Sequence, residues 1–152
     1  MTRTELWNFL ETRATEVRDA CARQWRTACS DTRRLQAHLQ RLQALYLEYG
    51  QQQRSTQAGN HQVHQTTALR HTLTQLLALQ ERVGRELLAA QAHEAQCRQR
   101  LDRAEAEVLK ARTVANGARA QAHQAQERSL QQQMDAASVQ RHWLTRLGQS
   151  EA

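Results

Sequence analysis

The sequence has no proline, only five glycines and 4% aromatic residues. A thick globular core needs more large side chains than this, and a fold with many turns needs more proline and glycine. The commonest residues are instead alanine, glutamine, leucine, arginine and glutamate, all of which favour helix. The composition therefore predicts long helices that meet along narrow apolar stripes. Disorder is the competing interpretation, because the mean hydropathy is low at -0.83.

Cysteines and long apolar runs are also scarce. Cys21, Cys29 and Cys97 are odd in number and form no CxxC pair, which favours a reducing compartment over a disulfide framework. The start, "MTRTELWNFLETR", lacks the apolar core of a signal peptide. No apolar stretch approaches the roughly 20 residues of a membrane span. We therefore expect a cytoplasmic protein.

Motifs for catalysis and phosphate binding are missing as well. The sequence has no GxSxG, GxGxxG or GxxxxGK[ST] pattern. His61 and His64 have the spacing of one helical face, but two nitrogens fall short of the four ligands of a closed zinc site. We expect no enzymatic activity, no cofactor, no metal and no small-molecule ligand.

The net charge of +6 makes an acidic partner plausible. The arginines are scattered among acidic residues, however, whereas nucleic-acid binders gather their charge into a stripe. We expect no nucleic-acid partner, and a basic helical nucleic-acid binder is kept only as a weaker alternative.

Periodicity decides between long helices and disorder. Apolar or aromatic residues recur every seven positions from Trp7 to Tyr49. Two further series run from Leu69 to Val139 and from Leu73 to Trp143. Their polar members are Gln80, Glu94, Ser129 and Gln132. Such sustained heptads predict a coiled coil, in which each apolar stripe forms a seam with a partner helix.

The stretch "GQQQRSTQAGNH", residues 50–61, interrupts the heptads and contains Gly50 and Gly59-Asn60, which favour a chain reversal. We predict an all-α fold: a single antiparallel coiled-coil hairpin over residues 1–152. Helix one spans about 3–51, the tip about 52–62 and helix two about 63–147. Helix one then ends opposite roughly residue 112. The longer second helix continues without a partner, and its seam is open to another protein or to a second copy.

The stretch "LQALYLEYG" before the turn places Leu42, Leu45, Tyr46 and Tyr49 at helical spacing. Leu77 beside Leu76 widens the apolar surface on helix two. A two-helix seam buries about two positions in seven, so these residues predict an apolar surface broader than the seam. Aromatic residues with polar tips are typical of interfaces.

"LQALYLEYG" and the later "LRHTLTQLLALQERV" resemble the FliJ/YscO family, the stalk proteins of flagellar and virulence type III secretion systems. The resemblance implies a coiled-coil hairpin whose termini enter the pore of a hexameric secretion ATPase and promote its assembly and activity. It implies that the tip binds the cytoplasmic domain of the export-gate membrane protein, at the inner-membrane base of the apparatus. Export chaperones are further implied partners. The sequence leaves the choice between a flagellar and a virulence system open.

The resemblance also implies which residues form the export-gate interface, and the apolar surface beside the seam adds Tyr46 to them. The complete set is His38, Leu42, Leu45, Tyr46, Tyr49, Leu69, Leu73, Leu76 and Gln80. The cations and aromatics near the termini are the matching candidates for the ATPase interface: Trp7, Phe9, Arg13, Arg18, Arg128, Arg141, Trp143 and Arg146. We expect a monomeric hairpin. The alternative is a structural coiled-coil homodimer or scaffold without an ATPase partner.

Overall fold

A computed structural model describes residues 1–58 and 63–150. It contains two α-helices, α1 from Arg3–Ala58 and α2 from Val63–Ser150, of 56 and 88 residues. The prediction of an all-α chain with a longer second helix is confirmed. Neither helix, over the described residues, has a stretch apolar and long enough to cross a membrane.

A capping box begins α1. The Thr2 hydroxyl accepts a hydrogen bond from the backbone N–H of Glu5, at 3.2 Å, and the Glu5 carboxylate accepts one from the N–H of Thr2, at 2.9 Å. Two of the backbone donors that a helix start leaves unpaired are thereby satisfied. The Thr-x-x-Glu pattern is visible in the sequence and explains why α1 begins at Arg3.

Contacts divide the chain into two compact units. The central unit is Arg18–Ala104, and the terminal unit combines Met1–Val17 with Glu105–Ala152. Paired helices contact one another only level by level, so they lack the shared core that would merge such contacts into one cluster. Each unit is described separately below.

In the central unit the two helices pair antiparallel. Gln80 bonds to Leu42, Cys29 to Glu94, and the Arg98 guanidinium lies 5.0 Å above the Trp25 ring. The residue numbers of each facing pair add to 122 or 123, which is the mark of an antiparallel register. The buried apolar residues of this unit all lie at predicted heptad positions: Ala28, Leu42, Val83, Cys97, Leu101 and Ala104.

Two polar residues of α2 interrupt this apolar seam, and each has a partner on α1. The Gln80 side-chain amide donates to the backbone carbonyl of Leu42 at 3.2 Å. The Cys29 thiol donates to the Glu94 carboxylate at 3.3 Å. The Cys29–Glu94 bond favours this register, because a shift along the seam moves Glu94 away from the thiol. The bond of Gln80 satisfies its amide without selecting a register, since α1 offers a backbone carbonyl at every level.

In the terminal unit the start of α1 pairs with α2 in the same antiparallel sense. Val108 and Ala115 are buried at heptad positions, at 3% and 0% exposure. Arg112 donates to Glu11 at 3.3 Å, and Arg119 donates to Asn8 at 2.7 Å. Pairing thus reaches Arg119, and every residue from 119 to 150 is exposed and helical. We call residues 119–150 the overhang.

The predicted end of helix one, at residue 51, is wrong: α1 continues to Ala58. The remainder of the predicted tip, residues 59–62, lies outside the described residues. A lone glycine costs a helix only about 1 kcal/mol relative to alanine, and the good helix formers that follow Gly50 offset it. Since α1 is longer than predicted, its start also faces a later part of α2 than residue 112.

Gly50→Ala tests this boundary. A Cβ added at Gly50 meets no atom within 4 Å, so we expect alanine to raise the free energy of unfolding by about 0.5–1 kcal/mol. Urea denaturation followed by circular dichroism measures this value. Gly84→Ala is the matched control, because Gly84 lies inside a helix whichever end α1 has, and it also has open space. A loss of stability confined to Gly50→Ala would show that α1 ends there.

Candidate interaction surfaces

The predicted export-gate residues divide into buried and exposed groups. Leu42 is 5% exposed and lies in the core of the central unit. Gln80 is half-buried and bonded to the Leu42 carbonyl. Leu42 packs mainly against the facing helix, and its remaining surface lines the same groove as His38 and Leu45. Its role at an interface stays a prediction. Gln80 holds the helix pair together instead of presenting its amide to a partner.

The remaining seam residues of that set are half-buried: Tyr46, Tyr49, Leu69, Leu73 and Leu76. Each occupies the heptad stripe through which α1 and α2 face one another, so part of each side chain is used within the hairpin. The structure does bring these residues together, but at the seam. The exposed parts of these side chains extend a neighbouring surface but do not form a surface of their own.

His38 and Leu45 are the members of the set that the structure leaves exposed. They line a groove of about 320 Å³ on the side of α1, together with Arg34, Ala37 and Arg41. Arg34 lies 3.7 Å from Asp31 in an exposed ion pair. The groove combines an apolar anchor with nearby cations, a chemistry that suits an amphipathic partner bearing carboxylates.

Sequence reasoning missed Leu79. The central-unit register places Leu79 level with Leu45 on the same flank of the seam, and both are 39% exposed. In any antiparallel helix pair, the positions that flank the seam on one helix meet those that flank it on the other. The heptad assignment could therefore have identified Leu79 from the sequence. We call His38, Arg41, Leu45 and Leu79 the flank surface.

In the terminal unit the predicted ATPase-binding residues lie at different levels. Trp7 is half-buried and lines an apolar groove of about 300 Å³ with Leu10, Ala14 and Val114. Phe9 is 56% exposed beside it. Trp143 lies well into the overhang, roughly 35 Å along α2 from the level of the α1 start at ~1.5 Å per residue. The aromatic residues therefore lie at two separate levels along α2, one near the start of α1 and one on the overhang.

The predicted cations also differ. Arg13 forms an exposed ion pair with Glu16 at 3.6 Å, and Arg18, which is half-buried in the central unit, forms one with Asp19 at 3.0 Å. Exposed pairs of this kind contribute little to stability and leave the cations accessible. Arg128, Arg141 and Arg146 are exposed on the overhang. The overhang thus offers three arginines and Trp143 on a helix that no other described segment covers.

An ionic cluster that the sequence did not reveal lies where pairing ends. Glu11, whose side chain is 20% exposed, contacts Arg112 at 3.3 Å and Arg119 at 3.4 Å. Arg119 also bonds to Asn8 and Asn116. Cross-helix charge pairs cannot be read from a sequence until the register is known. The cluster holds the first turns of α1 against α2 and so fixes where the overhang begins.

Metal-binding chemistry has no evident site among the described residues. Within residues 1–58 and 63–150, no three His, Cys, Asp or Glu side chains are grouped so that they could hold a metal ion. Of the two candidate histidines, His64 is exposed, and His61 lies outside the described residues.

Comparison with known proteins finds no match: no family model, no curated protein and no solved structure is similar to this chain.

The Cys29 thiol provides a test of the polar seam. Its partial burial, and next its hydrogen bond to Glu94, raise the pKa of this thiol above its ordinary value. We therefore expect slow alkylation of Cys29 by iodoacetamide at pH 8, measured by peptide mass spectrometry, and faster alkylation in Glu94→Gln. Stability follows the same sign: the contribution of the protonated thiol is present below its ordinary pKa and is lost as pH rises through the raised one.

Glu81→Gln is the control, because it removes one exposed carboxylate from the same helix away from Cys29. Equal alkylation rates in wild type and Glu94→Gln, with Cys29 as reactive as a free thiol, would mean that the Cys29–Glu94 bond does not form in solution.

Leu42 and Leu45 form a second, paired test. Leu42→Asp places a carboxylate in the core, and we expect it to lower the free energy of unfolding by about 3 kcal/mol or more. Leu45→Asp introduces the same charge at an exposed site and should change stability by less than about 0.5–1 kcal/mol. Thermal unfolding of both variants measures the difference. Equal effects of the two substitutions would contradict the assignment of Leu42 to the core.

Proposed function

We propose that this protein is the stalk component of a bacterial type III secretion export apparatus. In this role the overhang enters the pore of the hexameric secretion ATPase and promotes ring assembly and ATP hydrolysis. The protein would then lie on the cytoplasmic side of the inner membrane, beneath the export gate. The resemblance of the stretch "LQALYLEYG" to the FliJ/YscO family is the reason for proposing this apparatus.

The observation that carries the proposal is the unequal length of the helices. α2 continues past the start of α1 as the overhang, and all of its residues are exposed. At ~1.5 Å per residue the overhang is roughly 48 Å long. A single extended helix of that length is suited to occupy the centre of a ring. Its arginines and Trp143 supply the charge and the anchor that an acidic pore would bind.

The flank surface is the second proposed contact, with the cytoplasmic domain of the export gate. It replaces the wider set expected from sequence, because Leu42 and Gln80 are used within the hairpin. Leu45 and Leu79 provide the apolar contact, and His38 and Arg41 provide polar contacts beside it. Leu45→Asp should therefore reduce binding to the export-gate domain while the protein remains folded.

The stalk role is tested by ATP hydrolysis of the cognate secretion ATPase with and without this chain. We expect stimulation together with hexamer formation. Arg141→Glu combined with Arg146→Glu should reduce the stimulation at least several-fold, because each change turns attraction to an acidic pore into repulsion. Stimulation by the wild type should also fall as salt is added, since exposed charges are screened.

Arg100→Glu combined with Arg103→Glu is the matched control. Both residues are exposed on α2 in the central unit, so this variant carries the same charge change away from the overhang. If wild-type protein leaves hydrolysis and ring assembly unchanged, the stalk role is wrong. If both double variants lose stimulation equally, net charge and not the overhang determines the effect.

A further inference from the structure

The heptad stripe of α2 continues along the overhang after its partner helix has ended. Its positions there are Ala122, Ala125, Ser129, Gln132, Ala136, Val139 and Trp143. In the paired part of α2 the same stripe is covered, as Val108 and Ala115 show. On the overhang the same stripe is uncovered, and Val139 and Trp143 are each 57% exposed. A helix with such a stripe gains free energy when another helix covers it.

We propose that a second copy of this chain covers the stripe, with the two overhangs antiparallel about a two-fold axis. In the register we infer, Ala122 faces Val139 of the second copy, and Ala125 faces Ala136. Ser129 faces Gln132, so the two polar members of the stripe meet one another at the centre. Large side chains thus lie opposite small ones, and polar ones opposite polar ones, as close helix packing requires.

Charge complementarity selects this register. In an antiparallel pair the residues that flank the stripe on one side face their counterparts on the second copy. Here that side carries Arg128 and Asp135. Arg128 of each copy faces Asp135 of the other, which gives two symmetric ion pairs. The sequence contains only these two charged residues, apart from His142, on that side of the overhang.

Registers shifted by one heptad lose this match. Sliding the helices by one heptad in one direction brings Asp135 against Asp135 of the second copy. Sliding them in the other direction brings Arg128 against Arg128. Both shifts place like charges together at the two-fold axis, which is unfavourable. The proposed register lies between these two shifted registers and avoids both repulsions.

The paired layers also fit the space that α1 leaves. They run from Ala122 to Val139, past the last contact of α1 at Arg119. Trp143 of the second copy comes level with Ala118, and Arg146 comes level with Ala115, which is 0% exposed beneath α1. Because α1 occupies the stripe at these levels, residues 140–150 of the second copy leave the seam, and the pairing consists of the layers from Ala122 to Val139.

This inference stands independently of the stalk role, and it adds a regulatory consequence to it. Pairing covers the stripe from Ala122 to Val139, so the overhang cannot be paired and inserted into a ring at the same time. The free protein would be a weak dimer, and binding to the ring would compete with dimer formation by mass action.

Sedimentation equilibrium of the full chain over a wide concentration range, in reducing buffer, tests the pairing. We expect a monomer–dimer equilibrium for the wild type. Arg128→Asp and Asp135→Arg should each raise the dissociation constant about tenfold or more, since each change converts two attractive pairs into repulsive ones. The double variant Arg128→Asp/Asp135→Arg restores opposite charges and should dimerise like the wild type.

An equimolar mixture of the two single variants should also associate, because each then faces the opposite charge. Arg141→Asp, on the outer face of the overhang, is the control with the same charge change and should leave the dimer intact. A wild type that stays monomeric at every concentration overturns the proposal, and so does a mixture that fails to recover association. A wild type that stays monomeric and still stimulates the ATPase would refute the pairing and leave the stalk role standing.

Discussion

The antiparallel register of α1 on α2 is the constraint on which the other features of this protein depend. Apolar heptads alone would allow the helices to slide by one repeat with little loss of buried area. Glu94 limits that freedom, because it meets the Cys29 thiol only in this register. A slip by one heptad would break this bond, whereas Gln80 would meet another backbone carbonyl of α1 in place of that of Leu42. Polar groups in the seam thus give positional specificity at a cost in stability.

The register determines which side chains remain for partners. Leu42 and Leu45 are three residues apart and equally apolar, yet one faces α2 and the other lies on the flank. The surface of a two-helix hairpin consists mainly of such flanking positions, so its recognition residues are drawn from the edges of the seam. Leu45 and Leu79 come together only because the register places them at one level. In the terminal unit, the contacts of Glu11 with Arg112 and Arg119 mark the level at which α2 loses its partner.

The fold class could be predicted from the sequence because periodicity and capping are local signals. The heptads located the buried apolar positions of both helices, and the Thr-x-x-Glu pattern at Thr2 and Glu5 could have located the start of α1. The end of α1 could not be predicted from composition, since Gly50 is a turn residue in one context and a tolerated helix residue in another. The site was harder to predict than the fold. The alignment of the two helices decides that Leu42 is buried and Leu45 exposed, and that Glu11 pairs with Arg119. Residues distant in sequence contribute to this alignment, so the sequence pattern alone does not reveal it.

One physical rule connects the hairpin with the overhang. Within the hairpin, polar groups in the seam select one register out of several that are equally apolar. On the overhang the apolar stripe is weaker, because alanine buries little area, and charged flanking residues have to supply the selection instead. Such charges bind weakly and are screened by salt, so a partner held by them exchanges readily. The stripe is thus stronger where α1 covers it than along the overhang, so a partner of the overhang would depend on its charges as much as on its apolar residues.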